Sequence, residues 1–302
     1  MVGVAIFGST GMLGSALTNV LSASSNAIFE FNRKGRSVTG KNPTYKFDAL
    51  SNYDFKMLFH GLKIDYIVNC IGIVNKLIDN ENINSLQQAI TVNSNLPANL
   101  NEFSLWAGIP VITIGTDCVF SGKSGLYSES DGFDPTDHYG VTKCDGEKFS
   151  PDAMIIRCSI IGRELKTCYS LLEWVLTQRE KSTIDGYVNH LWNGVTTLHF
   201  SKVVEGIIDK KDFSPGAFHL VPKDVVSKYD LIKLITAKFG RSDLSVNKFV
   251  HHTSINRTLK TNNPLRNLRF WQNGGYNEVP SIAEMVSNYE DWTLTRKLQE
   301  LQ

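Results

Sequence analysis

The sequence predicts an α/β protein with a doubly wound parallel sheet, followed by a smaller, mainly helical C-terminal lobe. Three observations predict this. Residues 2–7 are an almost wholly apolar run, the pattern of a parallel strand buried on both faces. Leu13, Ala16, Leu17, Val20 and Leu21 then recur at helical spacing, so the chain opens as strand, turn and helix. The alternation continues to about residue 157, and strands alternating with helices pair in parallel through right-handed crossovers.

Residues 27–31 read as the second strand. A helical stretch at 53–59 precedes a strand at 65–71, a helix at 90–106 precedes one at 110–114, and 153–157 makes a further strand. Beyond Ile160 the alternation loosens, with helices expected at 169–179, 201–208 and 228–239. Residues 1–157 are therefore expected to form the sheet domain and 158–302 a second lobe, some of whose segments return to the first. No flexible tether separates them, so a ligand cleft between closely packed lobes is expected.

Composition narrows the function. The 302 residues carry 31 basic and 30 acidic side chains, a net charge of +1, with no block of one sign, so neither nucleic acid nor an anionic membrane is an expected partner. The opening MVGVAIFGST lacks the basic flank and cleavage site of a signal peptide, and no apolar run is long enough to span a bilayer, so a cytoplasmic location is expected. Cys70, Cys118, Cys144, Cys158 and Cys168 show neither CxxC nor Cys/His ligand spacing, and adjacent His251 and His252 point apart, so no metal site is expected. Trp174, Trp271 and Trp292 are expected in the core.

Between the first strand and its helix lies Gly-Ser-Thr-Gly-Met-Leu-Gly, residues 8–14. Glycine at the first position permits a tight turn, at the second lets backbone amides approach a pyrophosphate, and at the third lets helix and sheet pack closely. Gly8, Thr10, Gly11, Met12, Leu13 and Gly14 are thus candidate dinucleotide contacts. After the second strand stand Asn32, Arg33 and Lys34, where an NAD-selective protein presents an acidic residue, so the cofactor expected is NADP(H), with NAD(H) left open. Glu30, two residues earlier, is compatible with either face of the strand. Asp48, with Ala49 beside it, is a candidate for the adenine amino group.

Tyr139 and Lys143 stand four apart in Tyr-Gly-Val-Thr-Lys, on one face of a helix. A nearby ammonium favours phenolate, so the Tyr139 pKa is expected to fall from ~10 toward neutrality. Thr116 follows an apolar strand at its carboxyl end, where open α/β sheets bind ligands, and its hydroxyl suits a substrate carbonyl.

With these residues in place the chain resembles the extended short-chain dehydrogenases/reductases, most closely the dTDP-4-dehydrorhamnose reductase branch. The resemblance rests on residues 8–14, Asp-Tyr-Ile-Val-Asn-Cys at 65–70, Val-Asn at 92–93, Thr-Asp-Cys-Val-Phe at 116–120 and Tyr-Gly-Val-Thr-Lys-Cys-Asp-Gly-Glu at 139–147. It implies a Rossmann-type domain, a nucleotide-sugar substrate, NADPH-dependent reduction of a 4-keto-6-deoxy sugar in polysaccharide or deoxysugar biosynthesis, and leaves room for a homodimer. On that likeness Tyr139 is the acid, Lys143 also a ligand of the nicotinamide ribose, and Thr116 the hydrogen bond to substrate. Cys70, Ile71 and Gly72 line the cofactor, Asn93 supports the lysine through water, and Val119, Phe120, Trp192, Asn193 and Thr196 face the substrate, with Trp192 as a sugar-stacking wall. Arg157 and Ser159 also match places where relatives contact nucleotide or sugar. The same likeness admits an epimerase or dehydratase, or a non-catalytic NADP(H)-binding regulatory subunit.

Two segments depart from the pattern. The usual Ser-Thr-Asp-Tyr is here Gly115-Thr116-Asp117-Cys118, which removes a hydroxyl and an aromatic ring beside the reaction centre, and Ile73-Val74-Asn75-Lys76 replaces a small, acidic segment.

Overall fold

The computed structural model describes residues 1–165 and 167–300. β1 (Gly3–Phe7), β2 (Ala27–Asn32), β3 (Thr44–Lys46), β4 (Tyr66–Asn69), β5 (Val111–Ile114) and β6 (Met154–Arg157) join the strand Gly216–His219 in one seven-stranded sheet. The order is Gly216–His219, β6, β5, β4, β1, β2, β3, and every pair is parallel. All carboxyl ends therefore meet along one edge, with the strand order reversing between β1 and β4.

Alternation along β1 sends side chains into two cores. Val4 and Ile6 pack with Leu13 and Leu17 of α1 (Met12–Ser22) and with Val203, Val204 and Ile207 of the helix Thr197–Asp209. Ala5 and Phe7 face the other way, with Phe31, Ile67 and the α4 (Leu96–Ala107) residues Leu96, Leu100 and Phe103; α2 (Phe55–Leu58) and α3 (Ile83–Ile90) precede α4. Phe7 stacks on Phe31 at 4.7 Å and meets Phe47 edge-on at 4.8 Å, so aromatic area dominates this side.

The helix expected at 90–106 is part of a longer element. A π turn, Thr91–Asn95, joins α3 to α4, and it carries Asn93 and Ser94 inward, where both hydrogen-bond Thr142 of α5 (His138–Lys148). The helices expected at 53–59 and 169–179 shorten to Phe55–Leu58 and Leu171–Leu176, because Asp54 and Ser170 accept amide bonds as N-caps and begin them later.

The second lobe is mainly helical, with the expected helices at Leu171–Leu176, Thr197–Asp209 and Lys228–Lys238, and short strand pairs between its helices. Ile160–Ile161 pairs with Val195–Thr196, Thr183–Tyr187 with Ser245–Phe249, and His190–Trp192 with both Val226–Ser227 and Ile255–Asn256. Most of these strands span only two or three residues, too short to print a period. Trp271 is fully buried and Trp174 and Trp292 pack on the same core.

His199 is buried beside this core, bonded through Nδ1 to the Thr196 hydroxyl at 2.7 Å and stacked on Tyr276 at 5.1 Å; burial lowers its pKa to about 3. Its ordinary value is ~6.5, so the unfolded chain takes up a proton that the folded one refuses, and stability falls as pH drops below about 6.5 toward 3. Urea unfolding of wild type and His199→Phe should show the wild type losing ground to the variant between about pH 7 and 4; a pH-independent difference would contradict this.

Candidate active site

Three glycines shape the turn after β1, each differently. Gly8 adopts φ +81°, a left-handed conformation, and its N–H donates to Phe31 O at 2.8 Å. A Cβ on Gly14 would stand 2.1 Å from Gly8 O, so α1 starts in close contact with the turn. A Cβ on Gly11 would meet only Gly8 O, at 3.3 Å. Gly11 is the N-cap of α1 and gives its first-turn amides no side-chain hydrogen bond, so backbone donors at a helix N-terminus face an open side. A pyrophosphate fits there. Thr10 and Met12 lie part-exposed at the mouth, whereas the Leu13 side chain packs in the core, which leaves only its main chain for a ligand.

The end of β2 settles which way Glu30 points. It is fully buried and accepts from Ser37 Oγ at 2.7 Å, Val38 N at 2.9 Å and Asn42 Nδ2 at 3.0 Å, holding the following loop. Asn32 pins the turn itself: Nδ2 donates to Ser9 Oγ and Arg36 O, while Oδ1 accepts from Lys34 N. Arg33, Lys34 and Arg36 are left exposed around Gly35, with φ +59°. A 2′-phosphate fits this cationic turn. Arg36 went unremarked in the sequence, although the same run of basic residues contains it.

Other cofactor assignments divide. Asp48 Oδ1 accepts from Leu50 N at 3.1 Å, closing its own turn, and Ala49 is buried among the aromatic rings beside Phe47, so the structure corrects Ala49 from ligand contact to packing. Cys70 continues β4, its N–H on Phe7 O, and burial pushes its thiol up to about 12. Ile71 approaches Gly8 so closely that a Cβ there would lie 2.8 Å from Ile71 Cγ1. Asn93 Oδ1 accepts from Ile73 N at 2.9 Å, and its Nδ2 donates to Ile73 O at 3.0 Å and Thr142 Oγ1 at 3.1 Å. It thereby clamps the segment after Gly72 to α5.

Tyr139, Lys143 and Glu147 follow one another at intervals of four along α5. Thr116 is buried beside Tyr139 and draws its phenol down, with the Thr116 hydroxyl bonded to Cys118 N at 3.2 Å and Asp117 Oδ1 at 3.3 Å, and Lys143 Nζ donates to Ile114 O at 2.9 Å, so the three expected residues lie together at the carboxyl end of β5. The electrostatics differ from expectation. Burial raises the Tyr139 phenol above its ordinary value, and Cys118, Asp117 and Asp137 add to the rise while Thr116 draws it back. Lys143 does not offset this, because its ammonium is anchored on Ile114 and is itself disfavoured by burial, with Glu147 and Cys118 opposing that effect.

Glu147 Oε2 accepts from Arg157 Nε at 2.7 Å, with about one-twentieth of each side chain exposed (6% and 5%). Arg157 also reaches His219 Nε2 at 3.3 Å. This pair explains Gly115: a Cβ there would lie 2.6 Å from Arg157 Cγ and 3.0 Å from Glu147 Oε1, so the serine of the usual segment has no room. Arg157 is therefore a buried ion-pair residue in this chain, and Ser159 accepts from Trp192 Nε1 at 2.8 Å.

The expected substrate contacts are mostly corrected. Val119 and Phe120 are fully buried, Phe120 stacked on Tyr127 at 4.5 Å. Trp192 is 3% exposed, too little for sugar stacking. Asn193 exchanges two hydrogen bonds with the Leu259 backbone, and Thr196 caps the helix Thr197–Asp209. These side chains hold the wall together, and of the set only Thr116 acts on the Tyr139 phenol. What faces Asp117 and Cys118 instead is Lys228 and Arg257, whose charges lower the Asp117 carboxyl against the raising effect of its burial. Neither lies in a recognisable motif, and only folding brings them to residue 116.

The sequence model for the RmlD substrate binding domain matches residues 2–267. The chain belongs to that family. Methionine adenosyltransferase 2 subunit beta of Rattus norvegicus is 24% identical over 254 residues, 78% of this chain and 72% of the relative. The Danio rerio protein of the same name is 28% identical over 142 residues, and the match spans 43% of its length and of this chain's. The dTDP-4-dehydrorhamnose reductase of Bacillus anthracis, solved in complex with NADP, has a TM-score of 0.76 at 19% identity, over 96% of this chain and 98% of that one. UDP-glucuronic acid 4-epimerase of Bacillus cereus, solved with NAD, has a TM-score of 0.70 at 18% identity, over 96% and 99%. The fold of this RmlD-family chain is thus that of the nucleotide-sugar reductases and epimerases. No helix among the described residues is long and apolar enough to cross a membrane.

Removing one partner of a buried ion pair leaves the other charge uncompensated, at a cost of about 3–5 kcal/mol. Glu147→Ala should lower the unfolding free energy by that order in urea titrations; a loss below about 1 kcal/mol would mean that Arg157 has found another partner.

Proposed function

We propose that this protein is an NADPH-dependent reductase of a 4-keto-6-deoxy nucleotide sugar. The observation that carries the reading is the gathering of Thr116, Tyr139 and Lys143 at the carboxyl end of β5, where Lys143 Nζ is held on Ile114 O at 2.9 Å. The uncapped N-terminus of α1 opens on that same edge of the sheet. NADP is the ligand of the B. anthracis reductase, and UDP-glucose with NAD that of another neighbour of this fold, at a TM-score of 0.74.

Bound NADPH supplies a hydride to the C4 carbonyl, which becomes a secondary alcohol. Thr116 holds the carbonyl oxygen. Tyr139 delivers the proton: burial keeps the phenol protonated at neutral pH, and the developing alkoxide is the stronger base, so transfer runs downhill without a lowered phenol pKa. Lys143, fixed on Ile114, would hold the nicotinamide ribose with its ammonium. Gly11 and the first amides of α1 would hold the pyrophosphate, and Arg33, Lys34 and Arg36 would hold the 2′-phosphate.

A second reading, a cofactor-binding regulatory subunit without turnover, is favoured by the likeness to methionine adenosyltransferase 2 subunit beta. The assembled Thr116, Tyr139 and Lys143 weigh against it.

Tyr139→Phe should keep NADPH affinity and lower turnover by about 10² or more, the scale of a lost general acid. Unchanged turnover would remove Tyr139 from the chemistry. Arg33→Ala should weaken NADPH binding and spare NADH binding in fluorescence titrations; equal losses would show that the turn does not read the 2′-phosphate.

A further inference from the structure

One histidine links α5 to the second lobe. His219 ends the edge strand Gly216–His219 and stands in register beside Arg157 of β6. Its ring is buried, and its two nitrogens meet different partners: Nδ1 lies 2.7 Å from Lys260 O and Nε2 lies 3.3 Å from Arg157 Nη1. A carbonyl only accepts and a guanidinium only donates, so Nδ1 carries the proton and Nε2 presents a lone pair. One tautomer of the neutral ring satisfies both contacts, and neither the other tautomer nor the imidazolium does.

Arg157 is the middle of a longer chain. Its Nε donates to Glu147 Oε2 at 2.7 Å, and Glu147 shares one face of α5 with Tyr139 and Lys143. Lys260 is the far end. Its N–H donates to Tyr127 O at 2.8 Å and Tyr127 N donates to Thr258 O at 2.9 Å, so residues 258–260 lie along the segment that leads from β5 to α5. Glu129 of that segment accepts from His219 N at 3.0 Å, Thr261 Oγ1 at 2.7 Å and Asn262 N at 2.8 Å. Hydrogen bonds therefore run without a break from Lys260 through His219 and Arg157 to Glu147.

We propose that His219 is a positioning residue for the reduction: its Nε2 lone pair holds the Arg157 guanidinium against Glu147, so that the seating of residues 258–262 sets the height of Tyr139 and Lys143. This rests on the reductase reading and deepens it. Protonation of the ring breaks the chain, because an Nε2–H then faces an N–H of Arg157 and two cations stand side by side. The charged groups that face the ring are Arg157 from β6 and Glu129 and Asp131 from the segment before α5, with the Phe120 ring 6.1 Å away. Burial holds the ring below the ordinary histidine value; Lys260 O and Glu129 oppose that fall and Arg157 adds to it. His219 is thus neutral at pH 7, and the uncoupling belongs to the acid side of about 6.5.

The test is NMR of the histidine-ring and arginine side-chain nitrogens from about pH 8 to 5, on wild type, His219→Gln and His219→Leu, joined to kcat against pH with a keto sugar that oxidises NADPH. Glutamine keeps an acceptor for Arg157 and has no proton to take up, whereas leucine removes the acceptor. Wild type should show the Nδ1–H tautomer at pH 7, an Arg157 Nε signal that moves as His219 titrates, and a kcat that falls on the same acid limb. His219→Gln should keep the neutral-pH kcat, hold the Arg157 signal steady and move the limb to lower pH. His219→Leu should lower kcat by about 10- to 100-fold, the scale of a misplaced reacting group. If the leucine variant does not fold, the glutamine comparison alone decides.

An Nε2–H tautomer, an Arg157 signal that ignores the His219 titration, or a wild-type acid limb retained in His219→Gln would overturn the proposal. If no keto sugar is reduced, the reductase reading falls instead, and the two NMR results still decide whether His219 holds Arg157.

Discussion

The buried pair between Glu147 and Arg157 is the interaction on which the arrangement of the site depends. It ties α5 to the end of β6 at a point with almost no solvent, where Glu147 Oε2 and Arg157 Nε are 2.7 Å apart. Because α5 carries Tyr139, Lys143 and Glu147 on one face, fixing its last turn against the sheet also fixes the height at which Tyr139 and Lys143 stand at the end of β5. Gly115 is the counterpart of that constraint: the strand end between Ile114 and Thr116 must run directly over the ion pair, and no side chain fits there. A second tie comes from the π turn, where Asn93 and Ser94 reach Thr142 in the middle of the same helix.

The chemistry follows from this rigid edge. Parallel pairing brings every strand's carboxyl end to one side, so the uncapped N-terminus of α1, the basic turn after β2 and the Thr116–Tyr139 contact lie on a common front. Burial is the dominant electrostatic influence along it. It raises the phenol of Tyr139 and disfavours the ammonium groups of Lys143 and Lys228, so the site holds its phenol protonated. A protonated phenol beside a carbonyl anchor suits proton delivery during reduction.

The doubly wound sheet was legible because its strands are continuous apolar runs and its first helix has a clean 3.6 period. The placement of Gly8, Gly11 and Gly14 at the turn after β1, and of Tyr139 and Lys143 on one helix face, was legible for a related reason: backbone geometry and helical spacing restrict which residue types suffice there. In the second lobe the helices were legible and the short strand pairs were not. Its strands are two to five residues long, and partners such as Thr183–Tyr187 and Ser245–Phe249 stand about sixty residues apart. Trp192, Asn193, Thr196, Val119 and Phe120 were misplaced because adjacency to a motif does not tell whether a side chain faces cleft or core; each proved to be packed or hydrogen-bonded inward. The downward shift expected for Tyr139 failed because proximity of a lysine in sequence says nothing about which carbonyl it is tied to or how much water the phenol has lost. Lys228 and Arg257 had no local signal at all, since tertiary structure alone sets them opposite Thr116.

The central claim is that this site reduces a sugar ketone. It is tested most directly by following NADPH absorbance while the purified protein is presented with a panel of 4-keto nucleotide sugars that differ in base and in the substituent at C5. The account predicts stoichiometric oxidation of NADPH with at least one of them and formation of the matching alcohol. Tight NADPH binding with no oxidation across the panel would contradict it and leave the regulatory reading in its place.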